Sequence, residues 1–164
     1  MPTYIVDSNF FIQAHRVLYP LDIAESFWQL VSRLANEGVI VSIDKVKHEL
    51  YQNDDELRRW CEGNLPHGFF ADSSECITQY GEVVSWAVTK SDHYLQKALD
   101  EFLDADEADA WIIAFAKMKG FMITTYEVSQ PERKNKVKIP EPCISFGLPF
   151  RTTIEMFREI GVKF

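Results

Sequence analysis

Four acidic residues stand where this chain could use them for chemistry: Asp7, Glu49, Asp109 and Glu127. Asp109 is the most telling of them. It opens the segment Asp109-Ala-Trp-Ile-Ile-Ala-Phe-Ala-Lys-Met-Lys-Gly120, and on a helix its own face continues through Ile112, Ile113 and Ala116. A carboxylate in line with that stripe faces the interior, where an unpaired charge is expensive. A bound cation is one compensation. The plainer reading is a first-turn acid favoured by the helix dipole, answering Asp106 in a variant capping box. Periodicity alone does not choose between them.

The elements that must position these acids alternate between short apolar runs and helices. Residues 3–6 read as a buried strand, ended by the polar group Asp7-Ser8-Asn9. A short helix is expected over 10–17. A long amphipathic one follows over 21–36, with Ile23, Phe27, Leu30, Val31 and Leu34 on one side and Gly38 as its stop. A second strand spans 39–43, and Asp44 caps a helix running to about Gln52. Helices are expected near 54–62, 74–89 and 92–103, with Pro66-His-Gly68 separating the first two. The apolar helix covers 106–119, a third strand 121–125 and a polar loop 129–135. Residues 137–139 suggest a fourth strand, Pro140 and Pro142 interrupt, and a last helix covers 152–160.

Apolar strands without clean alternation, separated by helices, indicate a parallel sheet covered on both faces. The expectation is one α/β domain over 1–164: three α/β/α layers around a mainly parallel sheet of about four strands. Functional groups of such folds gather at the carboxyl ends of the strands and the starts of the following helices. Asp7 ends strand one, Glu49 lies on the helix after strand two, Asp109 opens the apolar helix, and Glu127 follows strand three in Thr124-Thr-Tyr-Glu127. Each also has a plainer role: Asp7 as a cap, Glu49 as a surface acid paired with Lys45, Glu127 as a loop acid. Together on one sheet edge, however, four carboxylates repel each other strongly unless a cation joins them. Hard oxygen ligands suit Mg²⁺ or Mn²⁺, ions that serve in phosphodiester cleavage. Ser8 and Asn9 are placed to hold Asp7 or a phosphate, and Thr124 and Thr125 offer hydroxyls near Glu127.

Net charge is −8, from 17 basic and 25 acidic residues, which disfavours bulk electrostatic binding to duplex DNA. A carboxylate cluster loaded with metal still presents a cationic centre to a phosphate. Arg133, Lys134, Lys136 and Lys138 form the one dense basic stretch, read either as a solvated loop or as a contact to a substrate backbone. No apolar run reaches membrane-span length, and the first residues lack a basic leader and cleavage signature. Cys61, Cys76 and Cys143 form no C-x-x-C pair, which argues for reduced thiols in a cytoplasm. A phosphatase of the Asp-x-Asp type is disfavoured because Asn9 stands where the general acid is needed. His48-Glu49 lacks the second histidine of a zinc protease, and there is no phosphate-cradling glycine loop.

Taken in order, these segments resemble the PIN-domain nucleases. Asp7-Ser8-Asn9 is similar to their opening Asp-Thr-Asn, and Ile43-Asp-Lys-Val-Lys-His-Glu-Leu-Tyr51 to the segment carrying their second acid. Asp109-Ala-Trp-Ile-Ile-Ala-Phe-Ala116 resembles their third-acid helix, and Thr125-Tyr-Glu127 their Thr-x-Asp, with Glu in place of Asp. The stretch from Lys136 to Gly147 looks like a less-studied PIN-like branch rather than a compact VapC-type toxin. The resemblance implies a metal-dependent endoribonuclease in which Asp7, Glu49 and Asp109 hold Mg²⁺ or Mn²⁺. Glu127 is the fourth ligand, with Asp106 and Glu141 as its substitutes. Ser8, Asn9, Thr125, Arg133, Lys134 and Lys136 then contact RNA. Many members of the family are toxins neutralised by an antitoxin, and many are homodimers. The alternative is a PIN-like module that binds RNA or a protein partner without cutting.

Overall fold

Tyr4, Ile5 and Val6 have no exposed surface. They form β1 (Tyr4–Val6), the central strand of a five-stranded, wholly parallel sheet in the computed structural model, which describes all 164 residues. On one side β1 pairs with β2 (Ile40–Ile43), Tyr4 opposite Ile40; on the other it pairs with β4 (Met122–Thr124), Val6 opposite Thr124. The edges are β3 (Phe70–Ala71) beside β2 and β5 (Phe150–Arg151) beside β4, giving the order β3-β2-β1-β4-β5. Ile40, Ile43 and Ile123 are as buried as β1, as expected of a sheet covered on both faces.

The helices are α1 (Ser8–Gln13), α2 (Glu25–Asn36), α3 (Asp44–Leu50), α4 (Glu56–Asn64), α5 (Ile77–Val88), α6 (Gln96–Phe102), α7 (Ala108–Lys119), α8 (Pro140–Phe146) and α9 (Thr153–Ile160). α7 is apolar on nearly every side because it is enclosed on nearly every side: Ala110 to Ala116 are all buried. Its Trp111 ring stacks on Tyr80 of α5 with centroids 3.8 Å apart. α2 and α9 are amphipathic instead, and meet edge-on through Phe27 and Phe157, whose rings lie 6.1 Å apart. No helix is long and apolar enough to cross a membrane. The three-layer α/β/α arrangement with a parallel central sheet is as expected.

Several details correct the sequence reading. The sheet has five strands rather than four, and residues 137–139 are not one of them. Pro140 does not interrupt a strand; it opens α8, since a proline at the first helical position gives up an N–H that has no intrahelical partner. The helix expected over 10–17 starts at Ser8 and loosens into a π-helical turn over Ala14–Leu18. The next helix starts at Glu25, not at 21. Asp44 is the first residue of α3 rather than its cap, and its Oδ1 accepts the N–H groups of Lys45 and Ser73. Asp106 does not cap the apolar helix. Glu107 holds the cap position without a side-chain bond, and the Asp106 N–H donates to Asp104.

Candidate active site

β1 and β4 adjoin where the strand order turns back, so their carboxyl ends release Asp7 and Thr125 side by side. Asp7 is 3% exposed, and its Oδ1 accepts the Phe10 N–H at 3.0 Å as the N-cap of α1. The plain role and the functional placement therefore fall on one residue. Burial, with smaller pushes from the negative charges of Glu127 and Glu49, raises its carboxyl from 3.8 to about 7. The Phe10 N–H opposes that rise without cancelling it.

Glu49 reaches the same place from α3. Its Oε2 accepts the Ser8 hydroxyl at 2.6 Å, and its Oε1 accepts the Ala108 N–H at 3.3 Å. An acid 59 residues distant thus caps the free N-terminal N–H of α7. It does not pair with Lys45, whose ammonium instead lies over the Trp111 ring. Asp109 follows one residue on. Burial first, then the charges of Glu127, Asp7 and Glu49, push its carboxyl well above the usual carboxylate range, and Lys136 opposes them. Asp109, Lys136 and Glu107 line a cavity of about 110 Å³. Glu107, absent from the sequence-based candidates, is pushed up by its own partial burial and by Glu49. It was missed because its own spacing does not set it among the acids; the cavity it shares with Asp109 and Lys136 exists only in the folded chain.

Glu127 follows β4. Its N–H donates to the Thr125 hydroxyl at 3.1 Å, and its Oε2 accepts the Ile139 N–H at 2.7 Å, tying both ends of the 128–138 loop together. Thr125 is buried, Ser8 is buried and Asn9 is exposed. Of the basic loop residues only Lys136 acts on Asp109; the carbonyls of Arg133 and Lys134 are held by His93 and by the Leu95 N–H. Glu141 accepts the Gln130 N–H, and its charge is felt by Tyr94 and Cys143, not by Asp7 or Asp109. The exposed Asp106 is likewise no part of the cluster.

The acids share one field but not one cage. No group of three or more His, Cys, Asp or Glu side chains is gathered to hold a metal ion, and Glu49, Asp7 and Glu127 are each engaged by N–H or O–H groups of the fold. The donor chemistry nonetheless fits a hard divalent cation: carboxylates held against their own repulsion, with one lysine beside them. Binding requires the side chains to turn toward one another.

The fold is a three-layer α/β/α arrangement that is also found in a solved structure of low sequence identity. One chain of VapBC2 from Rickettsia felis, solved bound to a DNA fragment from their promoter, matches with a TM-score of 0.54 at 16% identity. The match covers 92% of this chain and 98% of that one. No curated protein matches the sequence. Over residues 4–164 the chain belongs to the family described as Domain of unknown function (DUF4411).

Proposed function

We propose that this protein is a metal-dependent endoribonuclease that uses Mg²⁺ or Mn²⁺ and acts as the toxin of a toxin–antitoxin pair. One observation carries the reading. Asp7 and Asp109 sit at the turning point of the sheet with their carboxyls pushed up by burial and by Glu49 and Glu127. Clustered acids left idle destabilise a fold, so a cationic partner accounts for their presence. The ordered resemblance to PIN domains and the fold shared with a VapBC2 chain support the same reading.

Asp7, Glu49, Asp109 and Glu127 would hold the ion. When bound, such an ion lowers the pKa of water and stabilises charge on a phosphate undergoing hydrolysis. Ser8 orients Glu49 through its 2.6 Å hydrogen bond. Lys136, beside Asp109, offers an ammonium to a substrate phosphate, Arg133 lines the same depression as Lys136, and the exposed Lys134 is its neighbour in the loop. Asn9 and Thr125 flank the strand ends as substrate or positioning groups. Glu127 keeps the Ile139 N–H on Oε2 and has Oε1 left to offer the ion. The reading places the protein in a cytoplasm, where three free, buried cysteines stay reduced.

Labelled RNAs incubated with Mn²⁺ or Mg²⁺ test it, comparing wild type with Asp7→Asn and Asp109→Asn. Wild type should cut and both variants should lose activity. Equal cutting by all three, or none under either ion, overturns the reading. The engagement of the carboxylates within the fold favours the non-catalytic module as the second reading. That module predicts an unchanged melting temperature across millimolar Mn²⁺.

A further inference from the structure

We propose that a second pocket, between the α5–α6 turn, the 128–138 loop and α8, binds a guanine base of the RNA strand. The proposal rests on the ribonuclease reading. The pocket has a volume of about 330 Å³, within the range of small-ligand sites. Trp86, Lys90, His93, Pro131 and Glu141 line it.

Its polar groups are unfinished. Trp86 Nε1 and Glu141 Oε2 are buried without a hydrogen-bond partner, and so is Nη1 of Arg133 on the adjoining loop. Such orphans are uncommon in folded proteins, and each forfeits the hydrogen bonds it had with water. Burial pushes the Tyr94 hydroxyl up, Glu141 adds to that and Arg133 opposes it, so both charges lie near it, yet they make no ion pair with each other. A ligand that completes this set needs adjacent N–H donors for a carboxylate and an acceptor for an N–H or a cation. It must also be flat enough to pack along Pro131 and the His93 ring. Guanine has that pattern: N1–H and the N2 amine face a carboxylate, and O6 faces the donors. Adenine turns an acceptor toward the carboxylate, and uracil offers one donor between two acceptors. Lys90, whose ammonium lies 5.8 Å from the Trp86 ring centre, supplies the cation for O6. Glu141 Oε1 uses one lone pair for the Gln130 N–H and has a second for one guanine donor, while Oε2, sealed from solvent, takes the other as the side chain turns.

The loop joins this pocket to the acidic centre. Ser129 and Pro131 line the pocket, whereas Gln130, Arg133, Asn135, Lys138 and one acid, Glu132, line a polar depression of about 650 Å³. Lys136 borders that depression and also the small cavity holding Asp109. A strand with its scissile phosphate at the acids can follow this basic path and turn a base into the pocket.

The test is fluorescence anisotropy with labelled RNA octamers in EDTA, an A/U background carrying one guanine, inosine or adenine at the same position. Free GMP is the competitor, and the same RNAs are then assayed for cleavage with Mn²⁺. Wild type should bind the guanine octamer about tenfold more tightly than the inosine or adenine ones. Glu141→Gln should erase that preference while keeping the salt dependence and a cooperative melt, and Trp86→Phe should reduce it. RNA cut with no base preference in binding or cleavage overturns the pocket and leaves the nuclease reading standing, whereas RNA bound without preference and left uncut overturns both. GMP binding without guanine preference in the octamers also overturns the proposal, and assigns the pocket to a free nucleotide. A guanine preference without cleavage keeps the pocket and overturns the nuclease. No RNA bound in EDTA and none cut with Mn²⁺ by wild type overturns both.

Discussion

Replacing Asp7 by Asn should stabilise the metal-free protein, although it removes a candidate functional residue. The asparagine keeps an oxygen to accept the Phe10 N–H, so α1 stays capped. What it removes is a buried charge. The carboxyl moves from 3.8 to about 7 on folding. The folded state therefore holds its proton more tightly than the unfolded chain, and stability is lost as pH rises from about 4 to about 7. At about 1.4 kcal/mol per pH unit, the ionised Asp7 costs about 4 kcal/mol above pH 7. Urea unfolding in EDTA from pH 4 to 8.5 should show the two proteins diverging by about 1.4 kcal/mol per pH unit and then running parallel above about pH 7. In a chain of this size that plateau corresponds to roughly 8 to 16 °C in melting temperature. Excess Mn²⁺ should narrow the gap without reversing it, because ion at a hundred times its dissociation constant stabilises only the protein that binds it, by about 2.7 of the roughly 4 kcal/mol. A variant no more stable than wild type at pH 8 in EDTA, or a difference independent of pH, refutes the argument.

Ser8→Ala leaves Glu49 without its 2.6 Å donor and should lower stability by about 1 to 2 kcal/mol, read by the same urea titration. Lys136→Ala should weaken RNA binding and reduce the slope of log K against log salt by about 1, measured by anisotropy in EDTA. Gly120, at φ 71° just past α7, is held where a side chain is strained; Gly120→Ala should cost about 1 kcal/mol and lower the melting temperature by roughly 2 to 4 °C.

Much of the frame was legible in the residues, for definable reasons. Tyr4-Ile5-Val6 and Ile40 to Ile43 are apolar runs bounded by polar or turn residues, and the stripe on α2 repeats at helical spacing. The acids were found because the rule of strand carboxyl ends needs only the order of elements. Phe70–Ala71 and Phe150–Arg151 were invisible because two residues carry no period. Val137 and Ile139 misled because burial in a loop looks like burial in a strand. The start of α7 was misplaced for a different reason: its cap comes from Glu49 through tertiary contact, so local signals at Asp106 could not supply it. Glu141 illustrates the same limit, since only the folded loop separates it from the acids it resembles in sequence.

The shortness of the two outer strands has a consequence for how this protein can associate. A sheet's flank is ordinarily a template on which a foreign chain can zip up backbone to backbone. Here each flank is two residues long, and Arg151 on one of them is clamped to Glu159 at 2.5 Å. Uncontrolled stacking into fibrils gains no purchase, and neither does a partner that recognises by adding a strand. Whatever this protein grips or is gripped by must read side chains presented by its helices and by the long basic loop.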